Sequence, residues 1–264
     1  MIAMYAEIIR IRFLTMLAYR VNYYSGILIY AINIGAYYFL WRAIYAGQER
    51  LGGMTAAQMT TYVAVAWMAR AFYFNNLDRD IATEIRDGSV AVQLIRPYSY
   101  LAVKMMQALG EGLFRLVMFM APGMVLVALL FPVRLPADPA VWGWFALMLA
   151  LSFVINSEIN MLTGLAVFFL ESGEGLMRMK RVVVDLLSGL MIPIGFFPAW
   201  AQGVLGALPF QAIAYLPATV FVGGRAGSDV YAAVGVQLFW CVALLLPIAL
   251  MWRWARRRLF VQGG

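Results

Sequence analysis

Apolar residues in this chain come in long runs instead of the narrow stripes of a water-facing helix. Six runs stand out, at 23–45, 58–74, 105–131, 141–170, 182–197 and 230–252. A helix needs ~20 mostly apolar residues to cross ~30 Å of hydrocarbon. The runs therefore predict six transmembrane helices, the second one short and interrupted by Arg70. Residues 1–21 mix Glu7, Arg10 and Arg12 with Ile, Leu, Phe and Met, which predicts a retained segment lying in the membrane interface. After the fifth run, residues 195–225 are apolar but cut by Pro198, Pro209 and Pro217 into pieces too short to span. Two crossings need ~40 residues, so this segment reads as re-entrant or interfacial helices.

The most polar stretch is 77–104. There Asp78, Asp80, Glu84 and Asp87 alternate with Arg79, Arg86 and Arg96. The pattern predicts a short helix over 80–86, ended by Gly88, and a break at the Arg96-Pro97 pair. It reads either as a solvated loop or as a docking surface.

Composition narrows the class. The 264 residues are 64% hydrophobic and 12% charged, against ~45–50% and ~25% in an ordinary soluble domain. Mean hydropathy is +0.81. This is the composition of an all-α integral membrane protein, one transmembrane domain over 1–264. The net charge of +7 reports topology. Arg10, Arg12 and Arg20, Arg79, Arg86, Arg96 and Lys104, Arg178, Lys180 and Arg181, and Arg253, Arg256, Arg257 and Arg258 fall on one side of the six runs. Only Arg42, Arg50, Arg134 and Arg225 fall on the other. The excess of Lys and Arg on cytoplasmic loops places both termini in the cytoplasm. It leaves no soluble surface for nucleic acid.

Histidine is absent and Cys241 is the single cysteine, which excludes His-based catalysis, an intrachain disulfide and a Cys-based zinc site. Cys241 lies in an apolar run and reads as a buried, inert thiol. A phosphate-binding loop needs G-x-x-x-x-G-K-[ST]. The two lysines, Lys104 and Lys180, do not follow a glycine. The chain thus reads as a non-enzyme that takes its energy from a gradient or from another subunit.

Polar groups inside the runs are costly and face protein or water. Ser152, Asn156, Asn160 and Thr163 make one helical stripe that either lines a pathway or bonds helices together. Tyr30, Asn33, Tyr37 and Trp41 make a second. The charges at this depth are Arg70, Glu111, Arg115 and Glu158. Glu111 and Arg115 can pair at i, i+4, and Arg70 is a candidate partner for Glu158. If the chain is an ion-coupled secondary transporter, Glu158, Glu111 and Asp185 are its coupling candidates.

The stretch EIRDGSVAVQLIRPYSY at 84–100 resembles the cytoplasmic loop of ABC-2 type permeases, and FFPAW…LPFQAIAYLPATVFVGG at 196–224 resembles their outer segment. The resemblance covers essentially the whole chain and is similar in kind to the six-span subgroup described as ABC-2 family transporter proteins. It implies an export permease in the plasma (inner) membrane of a prokaryote, with an N-terminal interfacial helix and outer re-entrant helices. It also implies a second permease chain, identical or related, and two copies of an ABC ATPase subunit that carries ATP and Mg. No cofactor is implied in this chain. By this resemblance the coupling helix that docks on the ATPase falls at Asp80, Ile81, Glu84, Ile85, Arg86, Asp87 and Gly88, with Arg96 and Pro97 at its exit.

Overall fold

The computed structural model describes residues 2–18, 21–170 and 173–262. Arg20 of the basic set, the ends of the 1–21 segment at Met1 and of the chain at Gly264, and the start of the 171–181 loop lie outside the described residues. So does the side chain of Arg258.

Helix α1 (Ile2–Ala18) precedes α2 (Val21–Ile44). A two-residue antiparallel hairpin follows, β1 (Arg50–Leu51) with β2 (Met54–Thr55), in the register Arg50 to Thr55 and Leu51 to Met54. Tyr45 pins it, its hydroxyl donating to the carbonyls of Leu51 (3.1 Å) and Met54 (3.0 Å). Thr55 then starts α3 (Ala56–Tyr73) through a reciprocal capping box with Gln58. Helices α4 (Leu77–Arg86) and α5 (Ser89–Leu94) form a polar elbow. The next bar is α6 (Tyr100–Arg115), a π-helical turn Leu116–Met120, and α7 (Ala121–Leu130). Pro122, at the start of α7, lacks an amide hydrogen, and the π turn absorbs the mismatch without breaking the span. Then come α8 (Pro139–Ala166) and α9 (Glu174–Leu187). They are followed by α10 (Ala199–Gly206), α11 (Tyr215–Phe221), α12 (Ser228–Ala243) and α13 (Leu245–Gln262).

Among the described residues four helices are long and apolar enough to cross a membrane: Gly26–Ile44, Tyr100–Leu130, Pro139–Phe169 and Ser228–Arg257. Ala199–Gly206 with Pro209–Phe221, bent by 75°, makes a fifth if the pair is one span. The expected run at 58–74 is α3. Its sides are covered by protein: Met59, Tyr62, Val63, Met68 and Phe72 are core residues packed with Met148, Ile155, Leu165 and Ile213. That cover explains how Arg70, Gln58 and Thr61 are tolerated on a short helix.

The expected span at 182–197 is not one helix. It starts earlier, as α9, and ends at Leu187; residues 188–193 are irregular and Ile194–Phe196 is a single 3-10 turn. Pro193 cannot continue a helix. The Tyr62 hydroxyl donates to the Gly189 carbonyl at 2.7 Å, and the Tyr215 amide donates to Ser188 at 3.0 Å. Broken backbone survives here because neighbouring protein satisfies it.

Two ends of the bundle result. One carries the elbow, the starts of α6 and α9 and the end of α8; Tyr100 stacks on Trp252 of α13 there at 5.2 Å. The other carries the hairpin, the starts of α3 and α8, and α10–α11. Helix α1 runs beside α6, with Phe13 edge-on to Phe114 at 5.8 Å and no residue fully buried.

Candidate functional site

Chemistry in this chain gathers where α3 turns into α4. The turn is buried, so its carbonyls must find donors inside the protein. Helix α8 supplies them. Asn156 donates to the Tyr73 carbonyl (2.8 Å), and Asn160 donates to the carbonyl and side-chain oxygen of Asn75 (3.1 and 2.9 Å). Asn75 in turn donates to Ser157 Oγ at 2.9 Å and accepts from the Leu77 amide at 3.3 Å, which starts α4. Lys180 of α9 closes the chain of bonds, reaching Asp78 Oδ2 at 2.9 Å and Asn160 Oδ1 at 2.5 Å.

Helix α4 presses Leu77 and Ile81 onto α8, while Ala82 packs with Val167 and Met177. Gly164 permits the approach: a Cβ there would lie 2.9 Å from Ile81 Cβ and 3.1 Å from the Asp78 backbone. The flanks of α4 are tied by charge. Asp80 meets Arg12 at 3.2 Å; Arg12 also meets Glu111 at 3.0 Å, and Arg115 holds Glu111 at 2.5 Å while donating to the Phe74 carbonyl. Burial raises the Asp80 carboxyl above its usual range, with Arg12 opposing. Glu84 accepts from Lys104 (2.5 Å) and from the Tyr100 hydroxyl (2.7 Å).

The expected docking set therefore divides. Asp80, Ile81 and Glu84 are engaged with the body of the protein, and Ile85 is half-buried. Arg86, Asp87, Gly88, Arg96 and Pro97 are exposed. Gly88, at φ +75, turns the chain into α5, the left-handed conformation that favours glycine. Val92 and Ile95, which the sequence reading did not single out, stand out of α5 and the turn beyond it, Ile95 at 84% exposure. Arg96 donates to the Tyr98 hydroxyl at 2.8 Å, and Arg86 reaches Glu174 at 3.5 Å on the surface.

Deeper in the bundle, Arg70 does not reach Glu158, the partner expected from sequence. It grips Asp185 with two bonds (Nε to Oδ1 3.1 Å, Nη2 to Oδ2 2.8 Å) and donates to the Tyr30 hydroxyl at 3.2 Å. Glu158 lies on another face of α8, 2% exposed, with Oε2 lacking a hydrogen-bond partner. The guanidinium groups of Arg70, Arg115 and Arg181 sit 4.6, 5.4 and 5.2 Å from the Phe74 ring centroid. Tyr30 and Tyr37 pack on Trp67, whereas Asn33 donates to its own helix at Ile29. Ser152 and Thr163 donate to the preceding turn of α8, and Ser152 also reaches the Ala212 carbonyl beside Gln237. Among the described residues no group of three or more His, Cys, Asp or Glu side chains is arranged to hold a metal ion.

Sequence reasoning missed Asn75 as the partner of Asn160, Ser157 as the partner of Asn75, and Lys180 of α9 as the link between Asn160 and Asp78. Asn75 and Asp78 had a signal each, the polar pair at the exit of the second apolar run and the charge pattern at 77–104. The model of a family described as ABC-2 family transporter protein matches residues 31–263. No curated protein and no solved structure matched the chain.

Proposed function

This chain belongs to the ABC-2 family of transporter proteins, and from that premise we propose that it is the export permease of an ABC transporter, worked by a separate ATPase docked on the α4–α5 elbow. The observation that carries this reading is how the elbow is built. Its inner side is fixed to four helices by Asp78–Lys180, Asn75–Asn160, Asp80–Arg12 and Glu84–Lys104, while its outer side offers Arg86, Asp87, Val92, Ile95 and Arg96. A mixed polar and apolar surface on a rigid mount suits a reversible interface.

In this reading α3 and α9 complete six crossings, residues 195–225 re-enter from the outer side, and both termini are cytoplasmic in a prokaryotic inner membrane. A second permease chain, identical or related, completes the pathway. Two ATPase copies bring ATP and Mg. Their ATP-driven approach pushes the elbow, and the bonds beneath it carry that displacement into α8, α9, α1 and α6, shifting the bundle between two packings. The permease alone has no ATPase activity.

The test is the Ile95→Asp/Arg96→Glu double variant in the co-expressed complex. Assembly or permease-stimulated hydrolysis should fall at least about tenfold, the factor for 1.4 kcal/mol, with the permease still folded. Unchanged assembly and hydrolysis would overturn the docking assignment. A second reading, an ion-coupled carrier, is favoured by one observation: Glu158 keeps a partnerless oxygen, whereas Glu111 and Asp185 are held by arginines. Uptake driven by an imposed pH gradient without any ATPase would select it.

A further inference from the structure

The end opposite the elbow holds an unassigned cavity. It measures about 520 Å³ and opens between β1, the first turn of α3, the linker before α8, the start of α8 and the end of α11. Small-molecule sites run from ~300 to ~1,000 Å³. Arg50 and Arg134 stand in its wall. Neither guanidinium has a hydrogen-bond or ion-pair partner among the described residues. The carboxylate in the wall, Asp138, is engaged in capping α8, accepting the Ala140 amide at 2.8 Å. Helices α3 and α8 both begin at this cavity, so their positive dipole ends add to the two arginines.

Thr55, Gln58 and Thr61 also line it, and an apolar part of the wall is formed by Leu135, Val141 and Phe221, the last backed by Trp142 at 5.1 Å. A smaller cavity of about 320 Å³ adjoins across Ala57 and carries Arg42 beside Trp41. Three arginines thus surround the first turn of α3 on the side of the bundle that sequence shows to be poor in basic residues. The fourth, Arg225, lies apart over the Tyr215 ring. A small inorganic ion would meet the arginines and leave the apolar wall wet. A neutral hydrocarbon would do the reverse.

We propose that this cavity binds the anionic end of an amphiphile, a phosphate or carboxylate headgroup held by Arg50 and Arg134 with its apolar chain laid over Leu135, Val141 and Phe221. Calling this end the outer one rests on the permease reading; the binding itself does not. The site would hold such a molecule at the membrane surface, where a charged head and a hydrocarbon tail separate naturally.

Native mass spectrometry of the purified full chain tests it, with phosphatidylglycerol and phosphatidylcholine offered in equal amounts. The unmodified chain should retain phosphatidylglycerol over phosphatidylcholine by about tenfold, 1.4 kcal/mol. Arg50→Gln/Arg134→Gln should abolish the preference, and Arg225→Gln should keep it. A preference that survives the double substitution would overturn the proposal. Inorganic phosphate separates the sources: it should displace the lipid at least about tenfold less well than short-chain phosphatidylglycerol does. Equal displacement would mean a free-anion site and overturn the amphiphile. Should the double variant fail to fold, Leu135→Gln, at an exposed position, decides: it should weaken lipid retention and spare phosphate, and unchanged retention would overturn the proposal. No ATPase takes part in this readout, so its failure leaves the docking assignment standing, and the reverse holds too.

Discussion

At the scale of single residues, the polar side chains of this bundle close backbone and charge that burial would otherwise leave open. Lys180 shows it best. Replacing it with Met leaves Asp78, 3% exposed, without its cation. Breaking one partner of a buried pair costs ~3–5 kcal/mol, whereas replacing both by apolar groups is often neutral. Lys180→Met should therefore lower the unfolding midpoint in detergent sharply, and Lys180→Met/Asp78→Leu should recover most of the loss; equal midpoints for the two variants would contradict this account. Arg70 gives a finer case. Arg70→Lys keeps the charge but gives up the two-pronged grip on Asp185. It should cost about 1 kcal/mol, the scale of one net hydrogen bond. Arg86→Ala, at the exposed pair with Glu174, should fall within the ~0–1 kcal/mol typical of surface pairs. Sequence made the Ser152–Asn156–Asn160–Thr163 stripe visible, because helical spacing puts those residues on one face. It could not show that Asn156 and Asn160 of that stripe serve the Tyr73–Asn75 backbone, some eighty residues away in the chain. Arg70 was matched to the wrong acid for the same reason: spacing gives the direction of a side chain on its helix, not the identity of the neighbouring helix.

At the scale of elements, length and apolarity were enough to read α2, the α6–α7 bar, α8 and the α12–α13 bar, since each is a single long run. The elbow helix and its stop at Gly88 were legible too, from the alternation of charge before a glycine. The fifth run was not. An unbroken apolar string says nothing about the irregular turn at 188–193, because what permits the turn is the Tyr62 hydroxyl from a distant helix. Which face of α4 points outward was equally hidden, and so Glu84, a natural choice for docking from its charge, turns out to be tied to Lys104 and Tyr100. The seat of α4 on α8 is the element-level joint. Gly164→Leu must push α4 away, since even a Cβ would lie 2.9 Å from Ile81. Overpacking of this kind costs ~1–3 kcal/mol. The variant should still insert and bind its ATPase, while hydrolysis loses its dependence on the permease. Normal coupling in Gly164→Leu would show that the joint does not transmit motion.

At the scale of the whole molecule, the bundle has two unlike ends: a charged elbow bolted to the helices that meet it, and a hairpin end where three arginines surround two cavities. In the proposed reading the first end meets an energy-supplying partner and the second an anionic amphiphile. The central claim is the first of these. Site-specific photocrosslinking in the assembled, ATP-hydrolysing complex tests it most directly, with the probe placed at Ile95 on the elbow or at Leu135 on the opposite end, both exposed. A crosslink to the ATPase is expected from Ile95 and none from Leu135. A working complex that crosslinks from Leu135 and not from Ile95 would contradict it.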